Sequence, residues 1–219
     1  MPRTVLFTGP SLHPQEAQCL IDATVLPPIK RGDLASIVSL DPEVIAIIDG
    51  EFYQSLAVSP KEILPFLERG VRVYGAASMG ALRAVELERF GMIGVGRVFR
   101  LFRSGLLDCD DEVTLTYCPW SYAAISEPLV NTRYALRSSV RRRILTRAEA
   151  ETIIGTLKAD YFPERTWERM LCIARDVLGL GRTASLAKFL ATQAIDVKQG
   201  DARLLILQLQ LLQECSRRT

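Results

Sequence analysis

Histidine is almost missing from this chain: its 219 residues hold one, His13, in the proline-flanked segment Gly9-Pro-Ser-Leu-His-Pro14. That scarcity removes the usual proton acceptor for a serine nucleophile. The segment follows the first strand-like run, so His13 reads as a solvated loop side chain. The five cysteines (Cys19, Cys109, Cys118, Cys172 and Cys215) lack C-x-x-C spacing. Their odd number and scatter argue against a zinc site and against a disulfide framework, and suit a reducing compartment. No metal and no cofactor is expected. Neither G-x-G-x-x-G nor G-x-x-x-x-G-K-[ST] follows a strand, which leaves a nucleotide-binding reading weak. Charge of one sign is also lacking. A formal net charge of +2 gives no case for nucleic acid. No apolar run approaches the roughly 20 residues that span a bilayer. No signal-peptide pattern opens the chain, so the expected location is the cytoplasm, with no membrane partner.

What is present is a core-forming composition, 48% apolar, enough for one large domain or two small ones. The first half alternates. Residues 4–8, 44–48 and 71–74 read as strands; residues 14–21, 59–69 and 79–89 read as helices. Strands without polar alternation, separated by helices, predict a small parallel sheet covered on both faces, an α/β fold. Residues 112–116 read as one more strand or an edge hairpin. Beyond residue 131 the pattern is helical, over 137–143, 146–157, 163–178, 183–194 and 201–215. The expected division is an α/β core over 1–125 and a helical region over 126–219 packed on it. The leucines of the last helix are too numerous for an exposed face, which predicts burial against the α/β half.

The segment Val71-Arg-Val-Tyr-Gly-Ala-Ala-Ser-Met-Gly-Ala-Leu-Arg-Ala84 passes from strand to helix through small residues. Such a turn leaves one side chain standing, here Ser78. The backbone N–H groups of Met79 and Gly80 start a helix and lack intrahelical partners, which suits a developing oxyanion. The pattern Ala76-x-Ser78-x-Gly80 is one methyl from the G-x-S-x-G elbow of serine hydrolases. Small residues at Gly75, Ala76, Ala77 and Gly80 also let substrate and backbone approach.

A serine needs a base, and Lys61 is the candidate. Ser59 followed by Glu62 forms a capping box, with Pro60 at the first helical position. Lys61 therefore stands in a first helical turn, where the dipole disfavours an ammonium. If also buried, such a lysine accepts a proton near neutral pH. Asp49 ends the second strand, Ser78 follows the third and Gly9 the first, so all converge on one sheet edge, where ligands of parallel sheets gather. Arg83, on the helix after Ser78, pairs with Asp49 or Glu86 or holds a substrate terminus. Arg31, in Arg31-Gly-Asp33, is a candidate for binding a carboxylate or diglycyl tail, and Asp33 an N-cap. Asp110-Asp-Glu112 reads as a solvated or partner-facing loop. Arg133, Arg137 and Arg141-Arg-Arg143 form a basic patch open to an acidic protein.

Pro28-Ile-Lys-Arg-Gly-Asp-Leu34, Ile48-Asp-Gly-Glu-Phe52, Pro60-Lys-Glu-Ile-Leu64, the Gly75–Ala84 segment, Phe90-Gly-Met-Ile-Gly-Val-Gly96 and Asp110-Asp-Glu-Val113 follow one another in the order seen in the TfuA-like family. The chain resembles that family over roughly its first half; later only Asp196-Val-Lys-Gln-Gly-Asp201 adds to the match. The resemblance implies a partner of a YcaO enzyme, which exchanges a backbone amide oxygen for sulfur. It also implies hydrolysis of the C-terminal thiocarboxylate of a ubiquitin-like sulfur carrier of the ThiS type. The Ser–Lys pair described for the family falls on Ser78 and Lys61, with Asp49, Ala77, Arg83 and Arg31 expected to line the substrate. One departure is Ser59-Pro60, where the family commonly places an aromatic or a histidine before the lysine. A different reading is a non-catalytic module that docks the YcaO enzyme and its peptide, with Ser78 contacting an anion.

Overall fold

The computed structural model describes residues 3–53, 56–193 and 195–218. The chain divides into two compact units, Met1–Asp110 with Lys198–Thr219, and Asp111–Val197. The boundary falls at Asp110/Asp111, ahead of the expected 125/126. The last helix belongs with the sheet, and the intervening helices form a unit of their own.

The first unit is built on strands β1 (Thr4–Phe7), β2 (Thr24–Leu26), β3 (Val44–Ile47), β4 (Arg72–Ala76) and β5 (Ile93–Val95). All pair in parallel, in the order β2-β1-β3-β4-β5. Three of these are the apolar runs seen in the sequence. The other two, β2 and β5, went unseen because each is a three-residue edge strand. An edge strand need not be apolar throughout.

Helices α1 (Pro14–Leu20), α2 (Asp33–Ser36), α3 (Pro60–Glu68), α4 (Met79–Leu87), α5 (Gly96–Arg103) and α10 (Val197–Arg218) accompany the sheet. Alternate strand residues point to opposite faces. Leu6, Val44, Ala46, Ile48, Tyr74 and Ala76 share one core cluster with Ala17 of α1 and with Ala202, Leu205, Ile206 and Leu209 of α10. The apolar stripe of α10 is thus buried on the α/β core. Helices α3, α4 and α5 contact β4. The connection from β1 turns back to β2 on one side, while β3 lies on the other. The switch point therefore falls between β1 and β3.

The second unit holds α6 (Leu129–Arg141), α7 (Arg147–Ala159), α8 (Trp167–Leu178) and α9 (Leu180–Gln193). Leu129, Leu136, Ile153, Leu157, Met170, Ile173, Leu186 and others form its core. The helix expected over 137–143 begins at Leu129, and that expected over 163–178 is a short 3-10 turn followed by α8. The expected end of α9, Ala194, lies outside the described residues. No strand covers residues 112–116: Asp110–Glu112 is a 3-10 turn, and the only pairing nearby is an isolated Tyr117–Ala124 bridge. Val113 and Thr114 are buried without a ladder. Their β-branched side chains misled the reading, since burial alone produces the same pattern.

Candidate functional site at the carboxyl edge of the sheet

Ser78 stands at the N-cap of α4, directly after β4. Its backbone N–H donates to the Ala76 carbonyl at 2.7 Å, and its own carbonyl accepts from Ala81 and Leu82. The turn is made at Ala77, whose φ of 63° lies in the left-handed region. That conformation costs a residue with a Cβ about 1–2 kcal/mol. The residue Ser78 is only 2% exposed, and among the described residues its hydroxyl has no hydrogen-bond partner. A hydroxyl left open at a strained turn is the arrangement a nucleophile needs.

The small residues around Ser78 have a packing cause. A Cβ added to Gly80 would lie 1.8 Å from the Ile47 carbonyl oxygen, and one on Gly75 would lie 2.0 Å from the Gly80 oxygen. The start of α4 thus presses directly on β3 and β4, and only glycine fits. The Gly80 N–H is occupied, donating to the Ile48 carbonyl at 3.3 Å. Of the two N–H groups expected to face an oxyanion, that of Met79 has no acceptor among the described residues. Ala77 is fully buried, and its positive φ makes a β-branched replacement strained whatever approaches it.

Asp49 lies two residues beyond β3, at the switch point. Its carboxylate accepts from the N–H groups of Gly9 and Ser11, both at 2.9 Å, and from the Ser11 hydroxyl at 2.6 Å. It thereby ties the loop after β1 to the end of β3. Burial pushes the Asp49 carboxyl above its ordinary range, against the opposing pull of Lys198 and the Ser11 and Gly9 hydrogen bonds. Both Ser11 and Lys198 are 2% exposed. The Asp49–Ile29 backbone bond at 2.9 Å holds the neighbouring loop.

The other expected site residues are placed differently. Lys61 occupies the first turn of α3, whose Ser59–Glu62 capping box is present in full, but its side chain is exposed. Arg83 donates through Nε to the Val58 carbonyl at 2.8 Å and pairs with Glu86, not with Asp49. Its guanidinium fastens the entry of α3 to α4. Arg31 is exposed, with its N–H on the Leu56 carbonyl at 2.7 Å. Asp33 does not cap α2. Gly32, at φ 88°, holds that position, while Asp33 accepts from the Lys30 N–H at 2.9 Å. His13 caps α1, its Nδ1 accepting from Gln15 at 3.2 Å.

The acidic triplet is not a solvated loop. Glu112 is 1% exposed and takes a bidentate bond from Arg133, both contacts at 2.8 Å, with Lys158 at 3.4 Å. Asp111 pairs with the buried Arg165 at 2.7 Å. These charges hold the helices of the second unit and remove Arg133 from the basic patch. Arg137, Arg141, Arg142 and Arg143 remain exposed.

Sequence reading missed Ser11 and Lys198. Ser11 meets Asp49 across 38 residues, a distance no local pattern reports. Lys198 carries a signal of the kind applied to Lys61, a lysine at a helix start ahead of an apolar run.

Among the described residues no helix is long and apolar enough to cross a membrane. No curated protein shows significant similarity to the chain. The family of TfuA-like proteins matches residues 49–166, from the switch-point aspartate through the Ser78 turn and into the second unit. The chain therefore belongs to the TfuA-like family, which is associated with YcaO thioamidation.

Proposed function

We propose that the protein is a thiocarboxylate hydrolase that releases sulfide from a ubiquitin-like carrier of the ThiS type for a YcaO enzyme. The observation that carries the reading is the Ser78 hydroxyl, which among the described residues has no hydrogen-bond partner, on a largely buried turn beside the Met79 N–H, which likewise has none there. Ser78 Oγ attacks the thiocarboxyl carbon and gives its proton to a lysine amine. The Met79 N–H supports the developing oxyanion. Collapse of the tetrahedral centre breaks the C–S bond and expels hydrosulfide. Water then hydrolyses the acyl ester, returning the serine hydroxyl and a carrier carboxylate. Hydrosulfide is a good leaving group, which suits a site with no histidine acid. Ser78→Ala, which fits a turn of small residues, is expected to lower sulfide release from thiocarboxylated carrier by at least 100-fold. Retention of activity within a few-fold would remove Ser78 from the mechanism.

A second reading, a module that docks the YcaO enzyme and its peptide without catalysis, is favoured by the 2% exposure of Ser78. It predicts that Ser78→Ala supports YcaO-dependent thioamidation as well as the native chain does when free sulfide is supplied or withheld.

A further inference from the structure

We infer that the arginine face at the end of α6, in the second unit, docks an acidic face of the YcaO enzyme. The inference stands on the family assignment and not on the Ser78 chemistry. Between Glu127 and Glu149 the chain carries six arginines, no lysine and no acidic residue. Arg133 is taken by Glu112 and Arg147 by Glu151. Arg137, Arg141, Arg142 and Arg143 are exposed, and among the described residues their side chains have no hydrogen bond or ion pair. By contrast, Arg3, Arg103, Arg147, Arg169, Arg182 and Arg203 each meet an aspartate or glutamate at 3.3 Å or less.

The turn that ends α6 adds a second observation. The Arg143 N–H donates to the Val140 carbonyl at 2.9 Å, and the Ile144 N–H to the Ser139 carbonyl at 3.0 Å. This paired closure puts the residue after the cap in the left-handed region, where glycine is usual. Helices α3 and α5 close with the same pair of bonds, and there the position is held by Gly70 at φ 80° and Gly105 at φ 71°. In α6 it is held by Arg143, at φ 60°. A side chain in that conformation lowers stability where glycine does not, so a guanidinium is kept here against the local preference of the backbone. Arg137 and Arg141, four apart, share one side of the helix, and Arg142 and Arg143 continue from its last turn. Four guanidinium forks thus stand within about two helical turns.

Guanidinium forks bind carboxylates two bonds at a time, so the face fits an acidic one. No large apolar residue between Ile125 and Tyr161 is exposed. The face therefore lacks the aromatic and aliphatic anchors of a lasting interface. Clustered charge without such anchors speeds association and leaves release fast, which suits a partner that comes and goes. A nucleic acid calls instead for charge spread along its backbone, with exposed rings where single strands stack. This cluster is bounded in sequence by Glu127 and Glu149 and shows no exposed ring. Among protein partners, the YcaO enzyme is needed whether the chain hydrolyses a carrier or only docks; the carrier is needed in the first case alone. The region matched to the TfuA-like family, residues 49–166, includes the whole face.

The test titrates a fluorescently labelled YcaO enzyme with the full chain and reads anisotropy. Binding by the native chain is expected to weaken by about tenfold or more from about 0.05 to about 0.3 M salt. The combined variant Arg137→Gln, Arg141→Gln, Arg142→Gln and Arg143→Gln, with native circular dichroism, is expected to bind about tenfold more weakly at the lower salt and to lose most of the salt dependence. The same loss of charge at paired arginines, Arg3→Gln, Arg103→Gln, Arg147→Gln and Arg203→Gln together, is expected to stay within about twofold. Arg143→Gly alone is expected to melt above the native chain and to bind about threefold more weakly. Native affinity in the first combined variant, or in Arg143→Gly, overturns the inference. So does an equal loss in the second combined variant, which makes the effect one of net charge. Unchanged YcaO affinity with a raised KM for thiocarboxylated carrier assigns the face to the carrier, and with lost binding of a DNA duplex to nucleic acid; either overturns it. Binding is read without sulfide release, so an active Ser78→Ala, which overturns the hydrolase reading, leaves this result standing.

Discussion

The two units bury polar groups in opposite ways. In the second, Glu112 sits between Arg133 and Lys158, and Arg165 lies on Asp111 and on the Lys158 and Asp160 carbonyls. Each charge faces an opposite one, and the result is a brace between helices. In the first, Ser11, Asp49, Ser78 and Lys198 lie buried around the carboxyl ends of β1, β3 and β4. There the Ser78 hydroxyl is left open, and Asp49 is shifted up by burial despite its partners. Buried ion pairs between helices hold a fold together; a hydroxyl with no hydrogen bond of its own at a turn is available to a substrate.

Breaking the brace should have the largest effect on stability. Arg133→Ala leaves the Glu112 carboxylate inside with Lys158 still beside it. A loss of about 3 kcal/mol is expected, read as a lower denaturant midpoint. An unchanged midpoint would place Glu112 in contact with water after all.

Gly80→Ala tests the close approach in the first unit. Its Cβ would meet the Ile47 carbonyl at 1.8 Å, so α4 must move, at a cost of about 2–3 kcal/mol. Ala77→Gly should act in the other direction. Relief of the left-handed conformation outweighs the added freedom of the unfolded chain by a net of about 0.5–1 kcal/mol. A thermal melt lower than that of the native chain would contradict the strained-turn description.

The two units also hold carboxylates of opposite pH behaviour. Arg182 holds Glu149 down at about 2, from an ordinary 4.5. Its folded value lies below its unfolded one, so its contribution is complete above about pH 4.5 and fades as pH falls toward 2. Both side chains reach solvent, 49% for Arg182 and 20% for Glu149, so the effect is small. Arg182→Ala should flatten that part of a stability profile. Asp49 is raised by burial. Its folded state holds a proton more tightly, so its contribution falls as pH climbs from 3.8 toward the folded value. Asp49→Asn should remove that slope at little cost in stability, because one amide oxygen can accept from the Gly9 and Ser11 N–H groups as Oδ2 does, while the Ser11 hydroxyl turns to accept from the amide NH2. Persistence of the slope in the variant would assign it to another group.

Much of the first unit was legible because its inner strands are continuous apolar runs: Thr4–Phe7, Val44–Ile47 and Arg72–Ala76 are buried almost throughout. The capping box of α3 and the turn at Ser78 were legible for a similar reason, each being encoded within a few residues. What was not legible depends on distance. Thr24–Leu26 and Ile93–Val95 become strands only because neighbours are there to pair with them. Lys61 and Lys198 look alike in sequence, each early in a helix. Only the fold decides that α3 points its lysine to solvent while α10 carries its own inside. Glu112 likewise looks solvated until Arg133, 21 residues on, is brought to it.

The return of α10 to the sheet has a consequence for how the protein is made. The face formed by Leu6, Val44, Ala46, Tyr74 and Ala76 is complete in the nascent chain by the time β4 emerges. Its cover, Ala202, Leu205, Ile206 and Leu209, is translated only after the whole of the Asp111–Val197 unit. At about 5–20 residues per second, this apolar face waits for many seconds with nothing from α10 upon it. A chaperone that shields hydrophobic nascent segments has its natural window there, and a ribosome stalled within the second unit would present the bare face to other chains.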